Sequence, residues 1–427
     1  MRVLLVAPHL NIKENVNIET FPPLGIMSLS SFLKERKINT KMLDCTMSRN
    51  PLLLVEKFVK KFRPTVVGIS CIIASYRSTV EIAKKVKGID KQIKVVVGGI
   101  YPTFACEKIL RIHKEIDFVV RGEGEHTLYE LLMALSNEKN LENVDGISFI
   151  KDKKYIRTDD RKLISNLNEL PLPDYKSLAT MKQYQRKGKI LIVSSRGCPY
   201  VCTFCSTSNY WSHKWRAINA RKTVGIVKLL VKRYKAKNIL FGDDLFILDE
   251  NRVKDICKEI IKAKLKFRWR CSVRANLITP DLVKWLKKAG CDSVFLGAES
   301  GDQITLNRID KRQTLKQIAD AVKICHMANV DVVASFIMGF PWEDRKSIEK
   351  SIAFAKRIKA EQAIWFLFHP DIGSPIFNEL GTFGVDKDLS NPDDCITVGK
   401  SFMNTHYLKA YELEELYLKA ILDTNNQ

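Results

Sequence analysis

The chain has 427 residues, 45% of them hydrophobic, and a formal net charge of +22 at pH 7. That length is enough for two domains with cores of their own, and no apolar run approaches membrane-spanning length, which excludes a transmembrane helix. Lysines are spread along the chain, so the charge reads as a solvated basic surface. By itself it favours none among an acidic substrate, a membrane surface and nucleic acid. The opening MRVLLVAPHL fits a first strand better than a signal peptide, and eleven cysteines without a secretory signal point to a reducing, cytoplasmic setting.

Residues 1–135 alternate strand-like and helical runs. Residues 3–6, 40–43, 66–70, 95–99 and 118–120 read as strands, and 24–36, 52–62 and 79–87 as helices. That order predicts an α/β fold with a doubly wound, Rossmann-like parallel sheet, whose ligands sit at the carboxyl ends of its strands. The loops there are distinctive: Ala7-Pro8-His9, Ser70-Cys71, Gly98-Gly99 with Thr103, and Arg121-Gly122-Glu123-Gly124-Glu125. Paired glycines let a ligand approach the backbone closely. Glu123 and Glu125 also suit the start of a helix as charges that favour its dipole. His9, alone on its loop, reads as solvated.

Residues 136–187 read as a linker. It has a polar start, a small hairpin over 146–157 and a stiff, extended crossing at Leu170-Pro171-Leu172-Pro173-Asp174. No chemistry is assigned to it, and the chain shows no internal repeat.

Chemistry concentrates in residues 189–206, KILIVSSRGCPYVCTFCS. A buried strand at 190–193 ends at Ser195-Arg196-Gly197, and Pro199 keeps the following cysteines on a loop. Three thiolates on one loop can hold three corners of a [4Fe–4S] cube and leave the fourth iron open. Zinc competes as a reading, but a structural zinc site normally has four protein ligands, and no fourth is paired nearby. Chance core thiols are the bland alternative. The CxxxCxxC spacing of Cys198, Cys202 and Cys205, with Phe204 before the last, resembles the signature of radical S-adenosylmethionine (SAM) enzymes. The resemblance implies that the three cysteines hold the cluster and that SAM chelates the open iron. One electron then cleaves SAM to methionine and a 5′-deoxyadenosyl radical.

Strands expected at 238–242, 267–274, 293–298, 331–340 and 363–369 complete six βα units over 188–376. They predict a partial (βα)6, TIM-like barrel resembling the radical SAM core, with its site at the strand C-terminal ends. Carried over residue by residue, the resemblance places the Phe204 backbone on the SAM adenine. Asp243 falls in a GDDLF pattern frequent in the cobalamin-binding subgroup. Arg274 is expected to pair with the SAM carboxylate, and Glu299 with its amine or ribose. Gly339, in Met338-Gly339-Phe340-Pro341 with Glu343, belongs to the turn that receives the adenine edge. The His369-Pro370-Asp371-Ile372-Gly373-Ser374-Pro375 loop resembles the one after the sixth strand. Asp249 reads as a helix cap, and Cys257, Cys271, Cys291 and Cys325 as core thiols.

With FPPLGIMSLSSFL and RGEGEHTLYEL, the N-terminal loops resemble the cobalamin-binding domain that precedes many radical SAM cores. The resemblance implies cobalamin over the sheet edge, touched by Pro8, Ser70, Gly98, Gly99, Thr103 and Glu123. The Asp-x-His-x-x-Gly motif that supplies an axial histidine elsewhere is absent, as is common in this group. Over 377–427 the resemblance fades; Asp393-Asp394-Cys395 and a helix at 410–422 are placed as cover for the open barrel or the substrate.

The function implied is a cobalamin-dependent radical SAM methyltransferase acting on an unactivated carbon. Its substrate would be a small molecule, lipid or peptide, with a flavodoxin or ferredoxin as electron donor. Nucleic acid is not expected as a partner, and contact with a membrane surface stays open. Alternatives are a cobalamin-binding cyclase or rearrangement enzyme, or a methylthiotransferase with a second cluster on Cys45, Cys71 and Cys106. A non-catalytic cobalamin- or SAM-binding regulator would keep ligands without cleaving SAM.

Overall fold

Parallel strands covered on both faces bury nearly every side chain, which is why branched residues fill them. The computed structural model describes residues 1–10, 20–384, 401 and 403–425; Asp393-Asp394-Cys395 lies outside the described residues. The chain divides into two units, Met1–Arg186 and Lys187–Gln427. No helix among the described residues is long and apolar enough to cross a membrane.

In the first unit β1 (Arg2–Ala7), α1 (Leu24–Glu35), β2 (Asn39–Asp44), α2 (Pro51–Phe62), β3 (Val66–Ser70), α3 (Tyr76–Ile89), β4 (Lys94–Gly98), α4 (Ile100–Ile112), β5 (Phe118–Val120) and α5 (Gly124–Ser136) alternate. The parallel strands lie in the order β2-β1-β3-β4-β5. This is a doubly wound order whose switch point falls between β1 and β3, where such sheets take their ligands. Pro8 follows β1, and Ser70 ends β3.

The hairpin read as linker is instead part of this sheet. β6 (Ile147–Lys151) pairs antiparallel with β5, and β7 (Lys154–Arg157) pairs with β6, making seven strands. Arg121, 3% exposed, holds it there. Its guanidinium donates to the Ile147 carbonyl, to Ser148 Oγ at 2.7 Å, to the Thr158 carbonyl at 2.5 Å and to Asp160 Oδ1 at 3.0 Å. Nor is the Leu170–Asp174 stretch a free crossing. Asp174 accepts from Ser30 Oγ at 3.0 Å and Lys34 Nζ at 2.6 Å, and Ser31 Oγ donates to the Leu172 carbonyl at 2.6 Å, all three donors on α1. Asp44, at the end of β2, accepts from Thr180 Oγ1 at 2.6 Å and the buried Tyr184 hydroxyl at 2.8 Å. Tyr184 sits on α6 (Met181–Lys187), where the first unit ends.

At Gly99 φ is +121°, and an added Cβ would overlap the Cys71 carbonyl oxygen, so the backbone itself requires glycine there. Gly98 is also tight, its Cβ direction lying 3.3 Å from the Val120 carbonyl oxygen. Gly99→Ala is therefore expected to cost roughly 2–4 kcal/mol of stability, from left-handed backbone strain plus overpacking. Urea unfolding checks this, and an unchanged midpoint would contradict it.

The second unit contains β8 (Lys189–Ile192), β9 (Ser195–Arg196), α7 (Thr207–Tyr210), β10 (Arg216–Ala217), α8 (Ala220–Tyr234), β11 (Asn238–Phe241), α9 (Glu250–Lys262), β12 (Arg268–Val273), α10 (Pro280–Lys288), β13 (Cys291–Glu299), α11 (Gln303–Arg308), α12 (Leu315–Met327), β14 (Asp331–Met338), α13 (Arg345–Ile358), β15 (Gln362–Leu367), α14 (Pro375–Glu379) and α15 (Ala410–Asn425). Six strands form one parallel sheet in chain order, β8-β11-β12-β13-β14-β15. Its edges, β8 and β15, do not pair with each other, so the barrel is partial, as expected. Asp249 caps α9 by accepting from Arg252 N–H at 3.0 Å. α15 packs against β15 and α13, burying Leu413, Leu416 and Ala420, and Trp365 Nε1 donates to Thr424 Oγ1 at 3.0 Å.

Candidate active site

β8 delivers the cysteine loop, and several bonds fix its course. β9 and β10 form an antiparallel ribbon beside it. Asp244, after β11, accepts from the Gly197 N–H at 2.8 Å. Gly197 must be glycine, because at φ +95° a Cβ would overlap the Lys214 carbonyl oxygen. Thr203 N–H donates to the Ile309 carbonyl, and Ile376 N–H to the Thr203 carbonyl, both at 3.0 Å. Cys202 is buried, while Cys198 and Cys205 are half-buried. Burial pushes the Cys198 and Cys205 thiols up, so a bound metal is what would hold them as thiolates.

Arg274 directly follows β12 and is 5% exposed. Nη1 lies 3.6 Å from Cys202 Sγ, Nε donates to Asn276 Oδ1 at 3.3 Å, and Nη2 donates to the Lys311 carbonyl. Its guanidinium stacks 3.6 Å from the centre of the Tyr200 ring. No carboxylate pairs with it among the described residues. Near it, the buried Thr203 Oγ1 and Gln313 Nε2 have no hydrogen-bond partner among the described residues.

These features fit an anionic iron–sulfur cluster. Three soft thiolates are the donor set such clusters use, and their charge balances a cation that is otherwise buried alone. Among the described residues no three His, Cys, Asp or Glu side chains gather as ligands of one ion. A tetrahedral zinc with bonds of about 2.3 Å needs its sulfurs about 4 Å apart, whereas a cubane spreads them over three irons.

At the next strand end Glu299 adopts φ +63° beside a register shift in the β13–β14 pairing. A non-glycine residue held there is strained, as at many functional sites. Its carboxylate accepts from Lys311 Nζ at 2.6 Å, a pair nearly removed from solvent. Gly339, after β14, is tied by Glu343, whose Oε2 accepts from the Gly339 and Phe340 N–H groups at 2.8 and 3.1 Å. Phe340 meets Phe204 edge-on at 6.0 Å, bringing the cysteine loop and this turn together. The His369–Pro375 loop is joined to α7, Asn209 Nδ2 donating to the Gly373 carbonyl at 2.7 Å.

Glu343 is wholly buried, and that burial raises its pKa from 4.5 to about 7. A carboxyl raised in the folded state contributes stability below about pH 4.5 that is lost as pH rises through 7. Glu343→Gln keeps an oxygen for the two N–H groups and is expected to remove this loss. Between pH 5 and 8 the parent should therefore lose roughly 3 kcal/mol relative to the variant. Unfolding midpoints at the two pH values decide it, and parallel profiles would contradict it.

Asp243 differs from expectation. It points back into the unit, accepting from Ser194 N–H at 3.1 Å, Ser194 Oγ at 2.9 Å and Ser195 Oγ at 2.5 Å. Arg252 backs the same serine, donating to its carbonyl at 2.9 Å and its hydroxyl at 2.8 Å. Asp243 thus positions the strand ahead of the cysteines.

At the N-terminal switch point the candidates divide. Thr103 Oγ1 donates to the Gly99 carbonyl at 2.8 Å and accepts from Gly122 N–H at 3.0 Å, and Glu123 accepts from Ile164 N–H at 2.7 Å, so both brace loops. His9 Nδ1 lies 3.3 Å from the Thr46 carbonyl. Pro8 is buried at the crevice, and Ser70 is half-buried there. Ser70 Oγ makes no hydrogen bond among the described residues, and Ile72 beside it is 47% exposed. An open hydroxyl and an apolar surface at a doubly wound switch point fit a large, mostly apolar ligand.

The cysteines of a second cluster are differently placed. Cys45 and Cys71 are buried thiols raised to about 12, and Cys106 packs on β7 against Tyr155 Oη at 3.0 Å and Arg157 Nη1 at 3.5 Å.

Residues 19–132 match the B12 binding domain family, and residues 192–355 match the radical SAM superfamily. An uncharacterized methyltransferase of Pyrococcus horikoshii is 35% identical over 88% of this chain and 82% of its own length. This chain belongs to the cobalamin-binding radical SAM family. The anaerobic magnesium-protoporphyrin IX monomethyl ester cyclase of Rubrivivax gelatinosus is 28% identical over 89% of this chain and 70% of its own. Among solved structures, the cobalamin-dependent radical SAM enzyme OxsB, with aqua-cobalamin and SAM bound, superposes with a TM-score of 0.74 at 24% identity. That likeness covers 89% of this chain and 54% of OxsB, and it speaks for the fold. As a member of the cobalamin-binding radical SAM family, the chain is a radical SAM enzyme, and the residues that match the superfamily take in the three-cysteine loop after β8.

Sequence reasoning missed Lys311 and Arg252, and the sheet-holding role of Arg121, because each acts through partners elsewhere in the chain. Tyr200 was legible in principle, as an aromatic ring inside the cysteine motif opposite a strand-end arginine.

Proposed function

We propose that this radical SAM enzyme is a cobalamin-dependent methyltransferase that moves a SAM-derived methyl group to an unactivated carbon of a small-molecule substrate. The observation that carries the reading is the three-cysteine loop beside a buried, carboxylate-free arginine, in a chain with a methyltransferase relative. When bound, the cluster supplies one electron for reductive cleavage of SAM, and the corrinoid carries the methyl group. Cys198, Cys202 and Cys205 hold the cluster and leave one iron for SAM. Glu343 fixes the backbone at Gly339 and Phe340, and with Phe204 this turn receives the adenine. Glu299 and Lys311 offer opposite charges to the SAM amine and carboxylate, while Pro8 and Ser70 line the corrinoid crevice. The reductant is an electron carrier of the flavodoxin or ferredoxin class, and the setting is cytoplasmic.

A cyclase is the second reading, because the relative at 28% identity bears that name. SAM carrying a labelled methyl group separates the two. A methyltransferase places the label on substrate carbon and forms 5′-deoxyadenosine and S-adenosylhomocysteine together. A cyclase forms 5′-deoxyadenosine and a product without label.

A further inference from the structure

We propose that Arg274 sets the reduction potential of the cluster by donating an N–H···S hydrogen bond to the Cys202 thiolate. The inference rests on the cluster being held by Cys198, Cys202 and Cys205, and it gives Arg274 a different role from the SAM carboxylate pairing expected from sequence.

Three observations lead there. The Nη1–Sγ separation of 3.6 Å lies within hydrogen-bond range for sulfur, and both groups are buried. The guanidinium is held in place from the other sides: Asn276 takes Nε, the Lys311 carbonyl takes Nη2, and Tyr200 lies against its face at 3.6 Å. Every one of these partners is neutral. A buried cation without a counter-ion is costly, so the charge is balanced only when thiolates and cluster are present. Tyr200 sits between Cys198 and Cys202 in sequence, so the loop that binds the cluster also holds the arginine beside it.

The sign of the effect follows from charge. Adding one electron makes the cluster one unit more negative. A fixed positive charge and an N–H donor at a ligand sulfur stabilise that state more than the oxidised one. Arg274 therefore raises the potential and eases electron uptake from a weak donor. A cation free to swing toward SAM would shift SAM affinity and leave the SAM-free potential unchanged.

The test is an anaerobic redox titration of the reconstituted full chain with dithionite, without SAM, following the reduced cluster by EPR. Arg274→Gln should retain the parent's iron content and show a lower midpoint. At fixed ambient potential its reduced-to-oxidised ratio should fall about tenfold, which is 59 mV for a one-electron couple. Arg274→Lys, which keeps charge but loses the fork, should fall between the two. Tyr200→Leu, which frees the guanidinium without removing it, should lower the midpoint less than Arg274→Gln does. Unchanged midpoints in variants with full iron would overturn the proposal and leave the cluster assignment standing. Failure of the parent itself to take up iron would instead remove the reading beneath it. If Arg274→Gln does not fold, Tyr200→Leu and Arg274→Lys still decide, since midpoints equal to the parent's in both contradict the proposal.

Discussion

Replacing Cys198, Cys202 and Cys205 together with alanine is expected to remove about four irons per chain and all SAM cleavage. The loss should be complete because no other described cysteine is placed to substitute. Cys257 and Cys325 are core thiols raised to about 12, and burial beside Cys271 also pushes the Cys291 thiol well up. Cys45 and Cys71 are as deeply buried in the first unit. The fold should survive, since the loop's main-chain bonds at Thr203 and the Asp244–Gly197 bond do not involve sulfur. Iron analysis and 5′-deoxyadenosine formation under reducing conditions check the prediction. Full iron in the triple variant would place the cluster elsewhere.

The second large effect is expected at Glu299. Glu299→Ala removes one member of a buried pair and leaves the Lys311 ammonium without its partner, a loss of about 3–5 kcal/mol. Lys311→Met added to that variant should restore much of the stability, because replacing both members removes the stranded charge. SAM binding separates structure from contact. If Glu299 touches SAM, the double variant should be stable yet bind SAM at least tenfold more weakly, the effect of losing a charge-assisted hydrogen bond of about 1.5–3 kcal/mol. A stable double variant with parental affinity would make the pair purely structural.

The strands were legible because buried parallel strands need branched runs, and the cysteine loop because its spacing is dense and local. What was not legible depended on partners distant in sequence. Whether Asp243 faces a ligand or Ser194, just past the end of β8, is settled only by the pairing of β11 with β8. The 146–157 hairpin reads the same in a linker or on a sheet edge; Arg121 decides, from a loop that sequence assigned to ligand binding. Gly98-Gly99 carries the same lesson. Glycine signals a close approach, and at Gly99 what approaches is the Cys71 carbonyl.

Methyl transfer through a corrinoid on a radical SAM scaffold can be measured without the substrate. The chain, purified anaerobically with cobalamin, is given a strong reductant and SAM labelled in its methyl group. About one corrinoid per chain is expected, with label recovered in the corrinoid fraction and S-adenosylhomocysteine formed in equal amount. A chain that cleaves SAM to 5′-deoxyadenosine but takes up no corrinoid and transfers no label would contradict it.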